Sequence, residues 1–129
     1  MKTMVFGLAV ALMSSACFVL PAAAADDSKT GIYEVTEIYV LPSAMSSGSD
    51  NVPGMIARMV KDTQAEDGLL SVKVTQQVGQ PNNYTLIEQW NNKAALDKHV
   101  AADHTKQFYA KLEGLISGPV YQRVFSVFE

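Results

Sequence analysis

The stretch IEQWNNKAALDKHVAADH, Ile87–His104, holds the chain's single Trp and both of its His residues. Read together with the residues just before it, YTLIEQW (Tyr84–Trp90) alternates as a strand does, so Tyr84, Leu86, Glu88 and Trp90 share one face. Asn91 and Asn92 are suited to cap a helix, because a short side-chain oxygen there accepts from a free backbone N–H. That helix would carry Leu96, His99 and Val100 on one side. Asp103 is placed to start a second helical segment, in which His104, Phe108, Leu112 and Leu115 form a stripe that Gly118 and Pro119 bring to an end. A strand therefore runs directly into two consecutive helices.

Working outward, IYEVTEIYVL (Ile32–Leu41) is rich in β-branched and aromatic residues and reads as a strand. Its faces are Tyr33, Val35, Glu37, Tyr39, Leu41 and Ile32, Glu34, Thr36, Ile38, Val40. Neither face is wholly polar, so both are expected to be at least partly covered. PSAMSSGSDN is small and polar, a loop, and Pro53 then suits the first turn of a helix. In that helix Val52, Ile56, Met59, Val60 and Thr63 recur at helical spacing until EDG stops the run. LLSVKVTQQV is a second strand, GQPNN is turn chemistry, and VYQRVFSVF is a final strand with Tyr121, Arg123, Phe125 and Val127 on one face. The order is β-α-β then β-α-(α)-β, which is the α+β, ferredoxin-like split βαβ arrangement with a four-stranded antiparallel sheet. Helices on one side leave the other side bare, and that side would be apolar and aromatic. Such a patch calls for a partner, and a homodimer formed face to face is the expected remedy.

The first residues are read apart from the fold. Lys2 precedes the apolar run Val5–Leu20 and then PAAAADD, the pattern of a secretory signal peptide with cleavage after Ala24 or Ala25. The run is shorter than the roughly 20 residues a spanning helix needs. A lipoprotein acylation site at Cys17 is the weaker alternative, because Ser14 stands where such sites favour Leu. The expected organisation is a signal peptide over residues 1–25, a polar leader over 26–30 and one domain over 31–129, with a periplasmic or secreted location. Cleavage would remove Lys2 and the only Cys, leaving a chain more acidic than the net charge of −3 of the whole sequence. An acidic balance argues against nucleic acid or an anionic membrane surface as partner. Without the Cys there are no disulfides, thiolate metal sites or cysteine nucleophiles.

The segment NNYTLIEQWNNKAALDKHVAADHTKQFYAKLEGLISGP resembles the antibiotic biosynthesis monooxygenase domain, including its quinol monooxygenase-like members. The shared features are a strand ending in Glu88-x-Trp90, the pair Ala95 and Leu96, then His99 and His104, and downstream Gly118, Pro119 and Arg123. The resemblance covers most of residues 31–128 and is strongest from Tyr84 to Arg123. It implies a dimeric α/β barrel with a pocket between sheet and helices in each subunit. It also implies oxidation of a phenolic or quinol-type substrate by dioxygen without metal or flavin, hence no cofactor. The same fold also serves an isomerase of a phosphorylated autoinducer and haem-degrading relatives, so the fold alone does not settle the reaction.

Cofactor-free chemistry of this kind needs a proton acceptor, for which His is suited near neutrality, and a wall that shelters the anion. His99 and His104 are the candidate catalytic residues, with Trp90, Glu88, Arg123 and Tyr84 as candidate substrate-binding residues. Each also has a plain structural role open to it: Trp90 as core, His99 bonded to backbone, His104 tying two helices together. Buried Glu88 would need a partner such as Arg123, Lys73 or a His. A metal is not expected, because residues 99 and 104 on an unbroken helix project about 140° apart, whereas a shared ion prefers i, i+4 spacing. No Gly-rich phosphate loop, G-x-S-x-G or G-x-G-x-x-G is present. Two other functions stay open: an isomerase or tautomerase of a small carbonyl compound, and a non-catalytic ligand-binding module on the same fold.

Overall fold

The computed structural model describes residues 31–46 and 51–128. The expected signal peptide, polar leader and Cys17 lie outside the described residues. The elements run β1 (Ile32–Tyr39), a single 3-10 turn (Pro42–Met45), α1 (Val52–Thr63), β2 (Leu69–Gln77), β3 (Gln80–Trp90), α2 (Lys93–Ala101), α3 (Asp103–Leu112) and β4 (Tyr121–Ser126). The strands form one antiparallel sheet in the order β2-β3-β1-β4, the ferredoxin-like α+β fold read from the sequence.

Local chemistry accounts for the helix starts. Asn51 caps α1 by accepting from the Gly54 N–H at 2.7 Å, with Pro53 in the first turn, where its missing N–H costs nothing. Asn92 caps α2 by accepting from the Ala95 N–H at 2.9 Å. Three sequence expectations change. The loop after β1 contains the 3-10 turn at Pro42–Met45. Val100 is 48 % exposed and does not join Leu96 and His99 in the interior. The last helix stops at Leu112 and not at Gly118, because Gly114 takes a positive φ of 79° and turns the chain. Leu115 and Ile116 then bond back to Leu41 and Val40 at the end of β1.

The helices cover one sheet face, and the core beneath them is in two parts. The larger gathers Ile38, Val40, Met55, Ile56, Met59, Leu86, Phe108 and Leu112 among others, and the smaller holds Trp90, Ala95 and Leu96. Along β1 and β3 the residues between these clusters are Glu34, Thr36 and Glu88, all buried. A polar seam thus divides the interior. The opposite face carries Tyr33, Val35, Tyr39 and Ile87, continued on β4 by Tyr121 at 49 % exposure and Phe125 at 46 %.

The turn from α1 to β2 is pinned at Gly68, whose carbonyl accepts from the Asn91 N–H at 2.8 Å and so ties the start of β2 to the end of β3. Gly68 has φ +89°, and a Cβ there would meet Ala95 Cβ at 2.6 Å and Asn91 Oδ1 at 2.9 Å. The Gly68→Ala substitution combines a left-handed backbone with a clash, and is expected to cost roughly 2–4 kcal/mol. Urea denaturation read by circular dichroism checks this, and an unchanged midpoint would contradict it.

Candidate functional site

The seam begins with a pairing that sheet geometry imposes. Glu34 and Glu88 are direct cross-strand partners on the helix-covered face, and each is only 4 % exposed. Like charges set opposite each other in a dry interior repel, so at least one carboxyl favours its protonated form. Glu88 is pushed up to about 7, first by burial and then by the Glu34 charge, while the Trp90 N–H works the other way. Burial raises Glu34 as well. The Trp90 indole Nε1 donates to Glu88 Oε2 at 3.2 Å.

The two imidazoles reach this seam because the helix between them is broken. Ala102 is extended, with ψ 146°, which ends α2 and restarts the chain as α3. The unbroken-helix geometry expected from the sequence, with the rings about 140° apart, therefore does not apply. Both rings converge on Glu66, in the turn after α1: its Oε1 lies 2.7 Å from His99 Nδ1 and 2.9 Å from His104 Nε2. The ring centroids are 5.9 Å apart. With Nδ1–H of His99 donating to the Glu66 carboxylate, Nε2 carries the lone pair. That nitrogen is buried 3.4 Å from Glu88 Oε2, out of line for a hydrogen bond, and has no hydrogen-bond partner. Burial lowers the His99 pKa, partly offset by Glu66, so the ring is neutral at pH 7. The result is a continuous polar chain from His104 through Glu66, His99 and Glu88 to Trp90.

Access along this chain is uneven. Trp90 is fully buried, with its ring 4.9 Å from that of His99, and His99 is 1 % exposed. His104 and Glu66 keep 26 % and 17 % of their side chains exposed. His104 also borders a cleft of about 160 Å³ between α1 and α3, with Met55, Arg58, Asp62, Phe108 and Lys111 among its walls. Tyr109 stands on the other flank of the seam. Its hydroxyl accepts from the Gln122 amide at 2.8 Å, and burial raises its pKa far above the usual range.

Of the six candidate residues, the structure brings Glu88, Trp90, His99 and His104 together. Arg123 lies elsewhere: it projects from the opposite sheet face and pairs with Glu37 at 2.8 Å. Lys73 occupies that same face, opposite Ile87, so of the partners expected for Glu88 only a His, His99, stands beside it, together with the Trp90 N–H and the opposing Glu34. Tyr84 packs in the larger core cluster, where its hydroxyl accepts from Gln76 at 2.9 Å. The sequence reading missed Glu34, because IYEVTEIY carries polar residues at both parities and does not declare which face is covered. It missed Glu66 too, which stands in the EDG stop and looks like an ordinary turn residue.

The sequence profile of the antibiotic biosynthesis monooxygenase domain matches residues 47–111, half of the chain. The chain belongs to the antibiotic biosynthesis monooxygenase family. A curated relative, "Putative monooxygenase YcnE" of Bacillus subtilis, is 31 % identical over 62 residues, which span 48 % of this chain and 65 % of that protein. The match thus covers just under two thirds of that relative's length. A conserved protein from Methanosarcina mazei has the same fold, with a TM-score of 0.72 over 79 % of this chain and 97 % of its own at 20 % identity. An antibiotic biosynthesis monooxygenase crystal structure gives 0.69 over 76 % and 99 % at 19 % identity. These structural likenesses show the fold, and the membership agrees with the resemblance carried by Glu88, Trp90, His99 and His104.

The raised Glu88 pKa has a definite consequence for stability in this family member. A carboxyl that holds its proton more tightly when folded makes the folded state lose stability as pH rises from the unfolded value near 4.5 to about 7. Glu88→Gln keeps the shape and an amide oxygen for the Trp90 N–H but never ionises. The melting temperature of Glu88→Gln relative to the unaltered protein is therefore expected to climb between pH 5 and pH 8, by roughly 4–8 °C for each kcal/mol relieved. A pH-independent difference in calorimetry would count against the paired-carboxylate account.

Proposed function

We propose that the chain is an exported, cofactor-independent monooxygenase that oxidises a small quinol or polyphenol with dioxygen, and that it works as a homodimer. The observation that carries this reading is His104: the partly open imidazole of the chain, backed by the Glu66 carboxylate and facing a cleft. A cavity of about 150 Å³ accommodates a single benzene ring, so the cleft suits one small aromatic nucleus. His104 donates Nε2–H to Glu66, which leaves Nδ1 free to accept a phenolic proton. The carboxylate stabilises the imidazolium so formed. Oxygen then bonds to the electron-rich ring carbon of the anion, and the two hydrogens of the phenol O–H and ring C–H leave with one oxygen atom as water. The other oxygen atom remains as a carbonyl, giving the quinone.

In this reading His99, Glu88 and Trp90 do not touch the substrate but hold Glu66 and His104 in place. The bare sheet face with Tyr33, Val35, Ile87, Tyr121 and Phe125 supports the homodimer, because pairing two such faces would remove the aromatic surface from water. A second reading is favoured by the closure of Trp90 and His99, since a site filled by its own side chains suits a ligand-binding module without turnover.

Oxygen uptake with a panel of quinols separates the two. The proposal expects consumption of one dioxygen per quinol, with kcat reduced about 100-fold or more in His104→Ala. Unaltered turnover in that variant would remove His104 from the chemistry, and aromatic binding with no oxygen uptake would establish the second reading. Light scattering on the eluting protein is expected to give twice the chain mass.

A further inference from the structure

We infer that Glu66, His99 and His104 form a binding site for one divalent ion of the zinc class, held by two imidazoles and a carboxylate. The three donor atoms, Glu66 Oε1, His99 Nδ1 and His104 Nε2, all lie within 4.8 Å of one another. Bonds of about 2.0–2.2 Å to such an ion set neighbouring ligand atoms roughly 3 Å apart, and the Glu66 oxygen stands 2.7 Å and 2.9 Å from the two ring nitrogens. Imidazole with carboxylate is a donor set for zinc, cobalt(II) and similar ions. The set arises from three places in the chain: the turn after α1, the last turn of α2 and the first turn of α3. The break at Ala102 is what lets a five-residue spacing serve it.

An independent observation points to the same ligation. His99 Nε2 is completely buried and has no hydrogen-bond partner, yet it faces Glu88 Oε2 at 3.4 Å. An ion on Nδ1 displaces the proton to Nε2, 3.4 Å from Glu88 Oε2, where a small turn of the ring or of the carboxyl group brings the two into a hydrogen bond. Metal-bound imidazoles are ordinarily held in this way, with the second nitrogen donating to a carboxylate or carbonyl. Ligation thus puts a proton on an atom that the metal-free tautomer leaves as a bare lone pair beside Glu88. The second cluster, Glu34, Glu88 and His99, also has its donor atoms within 4.8 Å, but all three residues are buried. The Glu66 cluster opens to solvent on its His104 side, which gives the ion an entry path and leaves coordination positions for water. Arg58 and Lys111 border the neighbouring cleft together with Asp62, so capture depends on ligation and not on a general negative field.

The test uses tag-free protein stripped with a chelator, titrated with cobalt(II) for its visible spectrum and with zinc by calorimetry. One ion per chain is expected, saturating in the micromolar range. Glu66→Gln and His104→Ala are expected to weaken binding by at least about tenfold, and Glu88→Gln, which alters only the group behind His99, by about tenfold. Glu66→Gln preserves side-chain shape and carries the comparison if His104→Ala disturbs the fold. Long-range 1H–15N spectra of the imidazoles supply a separate reading, in which zinc shifts His99 Nδ1 and His104 Nε2. Failure to saturate by about millimolar ion, affinities unchanged in Glu66→Gln and His104→Ala, or ligation through the other ring nitrogens would each overturn the inference. An ion on His104 Nε2 leaves the ring proton on Nδ1, so the metal-loaded protein is a different state from the metal-free one whose Nδ1 accepts the phenolic proton, and the binding readout stands apart from whether any quinol is oxidised.

Discussion

Two carboxyl groups set opposite each other in a dry sheet face constrain the interior more than any other feature of this chain. Glu34 and Glu88 are register partners between β1 and β3, and the helices cover both. Taking two like charges out of water is far costlier than burying the apolar residues beside them. The structure answers by raising both pKa values, by donating the Trp90 N–H to Glu88, and by placing a neutral imidazole next in line. The apolar core is consequently split, with Ile38 and Leu86 on one side of the seam and Trp90 and Leu96 on the other. A polar seam of this kind weakens the core, and buried groups with shifted pKa values next to a cleft mark a candidate functional site.

The seam also organises what lies outside it. Glu88 faces His99, His99 donates to Glu66, and Glu66 holds His104 at the edge of the cleft. Only the outer end of this chain meets solvent. The buried end therefore acts as a scaffold for the accessible end, whether His104 passes a proton or shares an ion with its neighbours. Gly68 serves the same end from a distance, since the tight turn it makes carries Glu66 to its position and fastens β2 to Asn91. Family membership supplies the reaction type as a proposal, while the local geometry leaves His104, and not His99, open to the cleft.

The other sheet face follows a different logic. Arg123 pairs with Glu37 there, among Tyr39 and Tyr121, whose rings meet edge to face at 6.1 Å. These groups are suited to a surface that another chain covers, where aromatic residues and Arg are favoured. Their separation from the seam by the thickness of the sheet explains why a residue that looked like a pocket group in the sequence belongs to a different part of the molecule.

Short-range chemistry made much of this protein legible in its residues. Alternation in YTLIEQW, the Asn caps, Pro53 and the β-branched run from Ile32 determined the order of strands and helices, because these signals act over a few bonds and survive any tertiary context. The grouping of Glu88 and Trp90 followed from strand parity, and that of His99 and His104 from sequence closeness. Tertiary structure alone decided that the parity of Glu34 faces the helices, that Ala102 breaks the helix so that two rings converge, and that Glu66, 33 residues from His99 along the chain, joins them. It also decided that Trp90 is sealed and Arg123 lies across the sheet. Those outcomes depend on which face is covered and on contacts between distant segments, and the physical reason is that burial and pairing are properties of the packed chain, set by which neighbours close over a residue and not by the residue's own type.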